Sequence, residues 1–310
     1  MTDDEKLYLD REFSKIAGRV WTSKILKSND EVPDLFHYTN ATGLLGIVRS
    51  RSLWATHFQS MNDPSEMRYG MNLAHGLINA LVDQGPKKKV QFLRGAAKCL
   101  DNAFARGATP YVVSFSDDGR LPKQWKEYGD GGAGFSIAFD LARSSNLFGE
   151  GTSVLKITYD AAVQGDILSS TIEEFWNVFQ EWELRCGQHE FALPSAPHEY
   201  SLESHCQSQL VSLLLTECVA FKNPSPYRGE QEWRLARFSP GGSPLRFRSG
   251  PRGIVPYIEL MPPSGQKLPI KRVIQGPTAD PTLAKGSVET LLDECGYAGV
   301  EVEVSAILQP

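Results

Sequence analysis

Hydrophobic and polar residues follow helical spacing at the N-terminus and strand-like alternation soon after it. Four apolar residues of the first segment fall on one helical face: Leu9, Phe13, Ile16 and Val20. This spacing predicts a helix over 4–27, and we interpret residues 1–32 as an N-terminal helical arm. An arm with one apolar face is expected to pack against another element.

The next segment predicts a strand, a short helix and a second strand in close succession. The sequence DLFHYT indicates the first strand, and LWATHF at 53–58 indicates the second. Between them, ATGLLGIVRS predicts a short helix, and Asn40 is a suitable N-cap because its side chain can accept from an amide of the first turn. His37, Tyr38 and Thr39 therefore lie where a strand ends and a helix begins.

Two helical regions interrupt a chain that otherwise predicts strands. We expect helical insertions at about 65–106 and 169–219, where apolar residues recur at helical spacing. Residues typical of strands are found between glycine or polar breaks at 111–116, 133–140, 153–160, 232–238, 253–260 and 269–276. Helices and strands are grouped rather than regularly alternating, which favours the α+β class and a single domain over 33–310.

Charge and composition exclude several classes of partner. The formal charge of −5 over 310 residues argues against binding nucleic acid or anionic lipid through a globally basic surface. The longest aliphatic run, VSLLL, is too short to span a bilayer, and the acidic N-terminus lacks the apolar core of a signal peptide. The five cysteines are odd in number and never spaced as CxxC, which is typical of reduced thiols. We therefore expect a cytoplasmic protein that does not enter a membrane.

The segment around His37 resembles the opening of the ADP-ribosyltransferase-like superfamily. Many enzymes of this kind begin with a strand ending in His-x-Thr, followed by a helix with Leu and Ile at helical spacing and by a second strand. The matching stretches here are His37-Tyr38-Thr39, Leu44-Leu45-x-Ile47 and Leu53-Trp54-Ala55. The resemblance implies a split β-sheet core and an enzyme that cleaves the nicotinamide–ribose bond of NAD without a metal.

Most of the chain also resembles the bacterial family called domain of unknown function 2971, over roughly residues 33–308. The motifs that carry this resemblance are LFHYT, MNDPSE, SFS with QWKEYGDGGAGFSIAFD, FKNPSPYRGEQEWRL and IKRVIQGP. The family name implies no activity. The functional expectation therefore rests on the superfamily resemblance.

The stretch Glu230-Gln231-Glu232 is the candidate catalytic element. In ADP-ribosyl transfer the ribose carries positive charge in the transition state, and a nearby carboxylate stabilises that charge. Residues two apart on an extended strand point to the same side, so both carboxylates are expected to face one cleft. In transferases with a Glu-x-Glu or Gln-x-Glu element, the second glutamate contacts the ribose and the first orients the acceptor. This implies those roles for Glu232 and Glu230, with Arg234 beside them as an ion-pair partner or a phosphate contact.

The resemblance also implies residues that bind NAD. His37 would hydrogen-bond the ribose hydroxyls or the adenosine side of NAD, with the Thr39 hydroxyl close by. A flat aromatic face suits the nicotinamide ring, and Tyr128 and Tyr38 are both candidates for stacking on it. The choice between these two tyrosines stays open.

Two further stretches belong to the expected NAD site. Ser114 and Ser116 resemble the Ser-x-Ser of arginine-modifying transferases, although those enzymes begin with an arginine where this chain has His37. Asn62 lies in an Asn-Asp-Pro turn, which either caps the next helix or forms a loop that closes over the nucleotide. The basic stretch RFRSGPR at 246–252 indicates a solvated hairpin, or phosphate contacts if the acceptor is nucleic acid.

Other functions fit the same sequence. One is a non-catalytic nucleotide-sensing or interaction module that keeps the fold and lacks the chemistry. A separate interpretation of Glu230 and Glu232 is that they are solvated residues of an edge strand with cross-strand lysine or arginine partners. Another is a metal-dependent nuclease built on Asp63, Glu66 and His75, although these residues match no standard ligand set. For the transferase, the acceptor can be protein, nucleic acid, a small molecule or water, and the setting is that of a bacterial toxin or phage-defence effector.

Overall fold

A computed structural model describes most of the chain, namely residues 3–24, 32–61, 65–83, 85–103, 110–141, 147–149, 151–186, 202–223, 228–238, 244–250, 253–276 and 281–305. Eight α-helices lie in these ranges: α1 Asp3–Lys24, α2 Ala41–Ser50, α3 Ser65–Val82, α4 Lys87–Asp101, α5 Pro122–Tyr128, α6 Ala161–Cys186, α7 Leu202–Val219 and α8 Pro281–Glu294. The same ranges contain ten strands: β1 Leu35–Thr39, β2 Leu53–His57, β3 Pro110–Ser116, β4 Phe135–Phe139, β5 Thr152–Lys156, β6 Glu232–Phe238, β7 Arg246–Gly250, β8 Gly253–Leu260, β9 Ile270–Gln275 and β10 Glu301–Val304.

The chain divides into a helical unit and a sheet unit. The helical unit comprises residues 1–26, 62–110 and 158–225 and contains α1, α3, α4, α6 and α7. The sheet unit comprises 27–61, 111–157 and 226–310 and contains the strands with α2, α5 and α8. This grouping confirms the α+β class. The division into an arm of residues 1–32 and one domain of residues 33–310 stays a prediction.

Aromatic packing forms the core of the helical unit. The four apolar residues that predicted α1 are all buried, and Phe13 among them stacks on Phe175 of α6 with 4.2 Å between ring centroids. Phe92 of α4 stacks in the same way on Phe179, at 4.8 Å. The apolar stripe of α6 is therefore a packing surface. None of the helices in the described ranges combines the length and apolarity needed to cross a bilayer.

The strands of the sheet unit form one mixed sheet in the order β10-β9-β4-β1-β3-β2-β8-β7, and β6 pairs with both β3 and β5. β9 and β10 run parallel, whereas β1, β2 and β4 pair antiparallel with their neighbours. RFRSG forms β7, which pairs antiparallel with β8, so the predicted hairpin is confirmed. The two ends of the sheet order are β10 and β7.

The predicted strand-helix-strand opening is present, and its helix begins where the sequence indicates. The Asn40 side chain accepts a 2.9 Å hydrogen bond from the Gly43 amide, which confirms it as the N-cap of α2. Arg51 ends the helix in the left-handed region, with φ of 53°. The cap places the end of β1, with His37 and Thr39, against the start of α2.

Candidate functional site

Strand β3 pairs with a different strand at each of its ends. β1 meets it at one end through Phe36 and Ser116, and β2 meets it at the other end through Thr56 and Val112. Ser114 lies between these two pairings. In an antiparallel ladder the main-chain groups of alternate residues point to the same edge, so the carbonyls of Ser114 and Ser116 face one edge of β3.

The opposite edge of β3 belongs to β6. There the Asp117 amide donates to the Gln231 carbonyl at 3.3 Å. Asp117 is an odd number of residues from Ser116 and Ser114, so its main-chain groups point to the other edge of β3. In the described residues β1 pairs with β3 through Phe36 and Ser116 alone, although it pairs with β4 from Leu35 to Thr39, so β1 and β3 separate beside Ser114. The sheet is split at this residue.

His37 lies at the split and contacts the main chain of Ser114. Its Nδ1 is 3.0 Å from the Ser114 carbonyl oxygen. Because a carbonyl only accepts, Nδ1 carries the hydrogen and Nε2 is left as an acceptor. Burial lowers the pKa of His37, the hydrogen bond to Ser114 opposes that shift, and the nearby positive charge of Arg248 lowers the pKa further. The ring is therefore neutral near pH 7 and presents a hydrogen-bond acceptor.

The Glu232 carboxylate is buried and is oriented by two other side chains. The Ser114 hydroxyl donates to its Oε1 at 2.9 Å. Arg234 donates from Nε to Oε1 at 2.7 Å and from Nη2 to Oε2 at 3.1 Å. Glu232 and Arg234 are two residues apart on β6, so they lie on one side of the strand, as the sequence indicated. Ser114 thus contacts His37 through its carbonyl and Glu232 through its hydroxyl.

Arg234 is completely buried, which is unusual for this residue type. Its guanidinium lies over the ring of Phe58, at 5.4 Å from the ring centroid. Phe58 directly follows β2. The stacked, bidentate guanidinium is held on two sides, which fixes the carboxylate that it contacts.

Glu230 and Glu232 do not share one extended strand, so that prediction is wrong. Glu230 closes a 3-10 turn, Gln231 has a left-handed φ of 47°, and β6 begins only at Glu232. The Glu230 carboxylate lies 2.9 Å from the Lys123 ammonium of α5. Both glutamates are buried, which also contradicts the expectation of two solvated edge-strand residues. A non-glycine residue at positive φ is strained, and here it separates the two carboxylates.

The Ser-x-Ser pattern of β3 holds this glutamate segment at two points. The Ser114 hydroxyl contacts the Glu232 carboxylate, and the Ser116 hydroxyl donates to the Glu230 carbonyl at 3.1 Å. The two hydroxyls lie on one face of β3 because Ser114 and Ser116 are two residues apart on the strand. The pattern therefore orients the start of β6 relative to β3.

The two candidate stacking tyrosines lie in different surroundings. Tyr38 is buried, meets Trp125 edge to face at 5.1 Å, donates to the Asp118 carbonyl at 2.7 Å and accepts from the Leu121 amide at 3.0 Å. Tyr128 lies at the end of α5 with 39% of its surface exposed. Its exposure makes Tyr128 the more accessible of the two for a ligand ring.

The end of β1 packs closely against the turn before β4. A Cβ added at Gly134 would lie 2.3 Å from the Thr39 carbonyl oxygen and 2.8 Å from the Gly129 carbonyl oxygen. Close backbone packing is therefore the reason for glycine there. Thr39 itself is partly buried, and Asn62 lies outside the described residues.

The residues considered for a metal site do not converge in the described part of the helical unit. Glu66 pairs with Lys222 at 3.2 Å, and His75 lies 3.2 Å from Asp101. Asp63 is outside the described residues. Among the described residues, no group of three or more His, Cys, Asp or Glu side chains is arranged to hold a metal ion.

Three contacts of the site were not predicted from the sequence. Lys123 pairs with Glu230, Phe58 packs on Arg234, and Arg248 donates to Thr56 at 3.1 Å. No local pattern points to Lys123 or Phe58, since their partners are more than 100 positions away. Arg248 belongs to the basic stretch that the sequence singled out, and only the strand pairing shows which way it projects.

The fold and site define an α+β protein with a buried glutamate–arginine pair beside a split in its sheet. The sequence model of a family described as "Protein of unknown function (DUF2971)" matches residues 124–235. This stretch includes Tyr128, Glu230, Glu232 and Arg234, and the match supports the family resemblance noted in the sequence. No curated protein matches the chain, and no solved structure does either.

Acidification is expected to destabilise the protein partly through His37. Its lowered pKa means that the unfolded chain, with a histidine pKa near 6.5, binds more protons below that pH, so the free energy of unfolding falls as pH decreases. In His37→Gln, the fall between pH 7.5 and 5 should be shallower by up to about 1.4 kcal/mol per pH unit. Urea unfolding across this pH range measures the slope. Burial lowers the pKa of His57 as well, so His57→Gln should give a second, separate reduction, and an unchanged slope for His37→Gln would contradict the prediction.

Proposed function

We propose that this protein cleaves the nicotinamide–ribose bond of NAD, as an ADP-ribosyltransferase or an NAD glycohydrolase. The observation that carries the proposal is the Glu232 carboxylate, which is buried and is oriented by the Ser114 hydroxyl beside the split that holds His37. Bond cleavage leaves positive charge on the ribose, and a preorganised carboxylate in a site of low dielectric constant stabilises that charge strongly.

The split sheet supports the further proposal of an ADP-ribosyltransferase-like fold. β1 separates from β3 beside Ser114, and the resemblance of the sequence implies a split core of this kind. The proposal assigns the ribose of NAD to the neighbourhood of Glu232. His37 would accept a hydrogen bond from a ribose hydroxyl through Nε2, because Nδ1 is engaged with Ser114.

The remaining residues have distinct proposed roles. Arg234 holds the Glu232 carboxylate in place and balances its charge in the absence of substrate. Glu230, on its own turn beside Lys123, would orient or deprotonate the acceptor. Tyr128 would stack on the nicotinamide ring, and Thr39 and Asn62 would complete the NAD site. The proposed setting is that of a bacterial toxin or phage-defence effector in the cytoplasm.

One observation favours a second candidate, a non-catalytic nucleotide-binding module. Arg234 contacts both oxygens of Glu232, and a buried bidentate pair of this kind also serves a purely structural role. In that case the fold would bind a nucleotide without breaking it. The two candidates differ in whether nicotinamide is released.

Incubation of the purified full-length protein with NAD tests the proposal. We expect nicotinamide to appear, and NAD labelled in its adenylate part will show whether ADP-ribose is transferred to protein, to nucleic acid or to water when a bacterial lysate is added. Binding of NAD without nicotinamide release in any fraction would favour the non-catalytic module. Failure of NAD to bind at all would reject the cleavage of NAD.

A further inference from the structure

Arg248 projects from β7 towards β2, where one guanidinium nitrogen donates a hydrogen bond and another has no acceptor in the part of the chain that the structure describes. Its Nη2 donates to the Thr56 hydroxyl at 3.1 Å. Its Nε is buried and has no hydrogen-bond partner among the described residues. An unmade hydrogen bond on a buried donor is costly and needs an explanation. A ligand with acceptor oxygens would supply one.

Arg248 differs from Arg246, its neighbour on the same side of β7. Arg246 is half exposed and pairs with Glu259 at 3.2 Å. In the part of the chain that the structure describes, no carboxylate pairs with Arg248. The positive charge of Arg248 is thus not balanced by a described acidic side chain, which makes it suited to an anion.

Strand pairing places Arg248 and Glu232 on the same face of the sheet. Residues paired across two strands project to one face, so Thr56 shares a face with Val112. Ser114 is two positions further along β3 and projects to that face as well. The Thr56 hydroxyl holds Arg248, and the Ser114 hydroxyl holds Glu232. The two hydroxyl-bearing positions are separated by one step along the face, roughly 7 Å.

The charge of Arg248 affects the pKa of His37. The positive charge of Arg248 contributes to the lowered pKa of His37, after burial and against the hydrogen bond to Ser114. His37 contacts the Ser114 carbonyl at the split, so the influence of Arg248 reaches the same split. Phe36 pairs with Ser116, so His37 projects from β1 towards the other face and packs against Phe115, and of these three residues Arg248 and Glu232 share the face of the Ser114 hydroxyl.

We propose that Arg248 binds the diphosphate of the nucleotide substrate. This inference rests on the proposed function, because it is the ribose near Glu232 that brings the adjoining phosphates towards Arg248. The guanidinium offers several N–H donors in one plane, which match the oxygens of a phosphate group. Its buried Nε would then find an acceptor, and Thr56 would keep the guanidinium turned towards the ligand. The chemical class recognised is a nucleoside diphosphate, alone or as part of a dinucleotide.

Calorimetric titration of the full-length protein with ADP and with adenosine tests this assignment, since the two probes share base and ribose and differ in the diphosphate. Arg248→Met removes the donors and keeps most of the side-chain volume, whereas Arg248→Lys keeps the charge and loses the planar fork. Arg246→Met is the matched control on the same strand. Thermal unfolding of each variant establishes that it is folded.

We expect ADP to bind the parent protein more tightly than adenosine and with stronger dependence on salt. Arg248→Met should weaken ADP binding by about ten- to hundredfold, with little effect on adenosine, and Arg248→Lys should fall between Met and the parent. Arg246→Met should bind ADP like the parent. Equal ADP affinity of the parent, Arg248→Met and Arg248→Lys would overturn the proposal, as would the absence of ADP binding to the parent.

The outcomes also separate this inference from the proposed cleavage of NAD. Nicotinamide release with an unchanged KM for NAD in Arg248→Met would leave the proposed function standing and reject the role of Arg248. Binding of ADP that depends on Arg248, in a protein that never releases nicotinamide, would support the diphosphate site and reject the cleavage reaction.

Discussion

Glu232→Gln is expected to lower kcat/KM for nicotinamide release from NAD by at least about a hundredfold. Glutamine keeps the shape of the side chain and can still accept from the Ser114 hydroxyl, but it lacks the negative charge that would stabilise the ribose cation. The loss should be the same whether the acceptor is water or a macromolecule, because the charge acts on bond cleavage. Initial rates of nicotinamide release over a range of NAD concentrations measure the effect.

Two further variants make that measurement specific to Glu232. Glu230→Gln should reduce transfer to an acceptor and leave the slow hydrolysis of NAD largely intact, because Glu230 lies on a separate turn with Lys123. Ser114→Ala keeps both charges of the ion pair and removes one hydrogen bond, so it should cost less than Glu232→Gln. If Glu232→Gln releases nicotinamide at the parental rate, the proposed role of Glu232 is wrong.

Arg234→Met should lower the free energy of unfolding by about 3–5 kcal/mol. The guanidinium is fully buried, and its removal leaves the buried Glu232 carboxylate without the partner that contacts both of its oxygens. The contact with Phe58 is lost as well. Urea unfolding of the parent and the variant, with equal slopes against urea concentration, gives the difference.

The double variant Glu232→Gln/Arg234→Met and the single variant Arg246→Met provide the comparison. Removal of both charges should restore part of the stability, because the main cost is a buried charge without its partner. Arg246 pairs with Glu259 at the surface, so its loss should cost less than about 1 kcal/mol. If Arg234→Met were no more destabilising than Arg246→Met, the buried pair would not hold the site together.

Local patterns in the sequence were sufficient for the elements that depend on near neighbours. The spacing of Leu9, Phe13, Ile16 and Val20 indicated α1, and these side chains are buried as expected. Asn40 was recognised as a cap because an N-cap interaction involves residues only three positions apart. The separation of two residues between Glu232 and Arg234 was likewise enough to place them on one side of a strand.

The same local reasoning misplaced Glu230. Alternation along an extended strand applies only while the backbone stays extended, and Gln231 leaves that conformation with φ of 47°. The turn is held by Ser116, whose hydroxyl donates to the Glu230 carbonyl from a position 114 residues earlier. A one-residue change of conformation at this point sends the two carboxylates to different partners.

The sequence by itself determined the α+β class, most of the helices and strands, and the residue types that a candidate site would need. The tertiary structure decided which of those residues meet: Ser114 joins His37 to Glu232, Lys123 takes Glu230, and Arg248 reaches Thr56. The physical reason is that strand register depends on packing between segments far apart in the chain, and a shift of one residue would turn every side chain to the other face. Spacing within one element carries no information about that register.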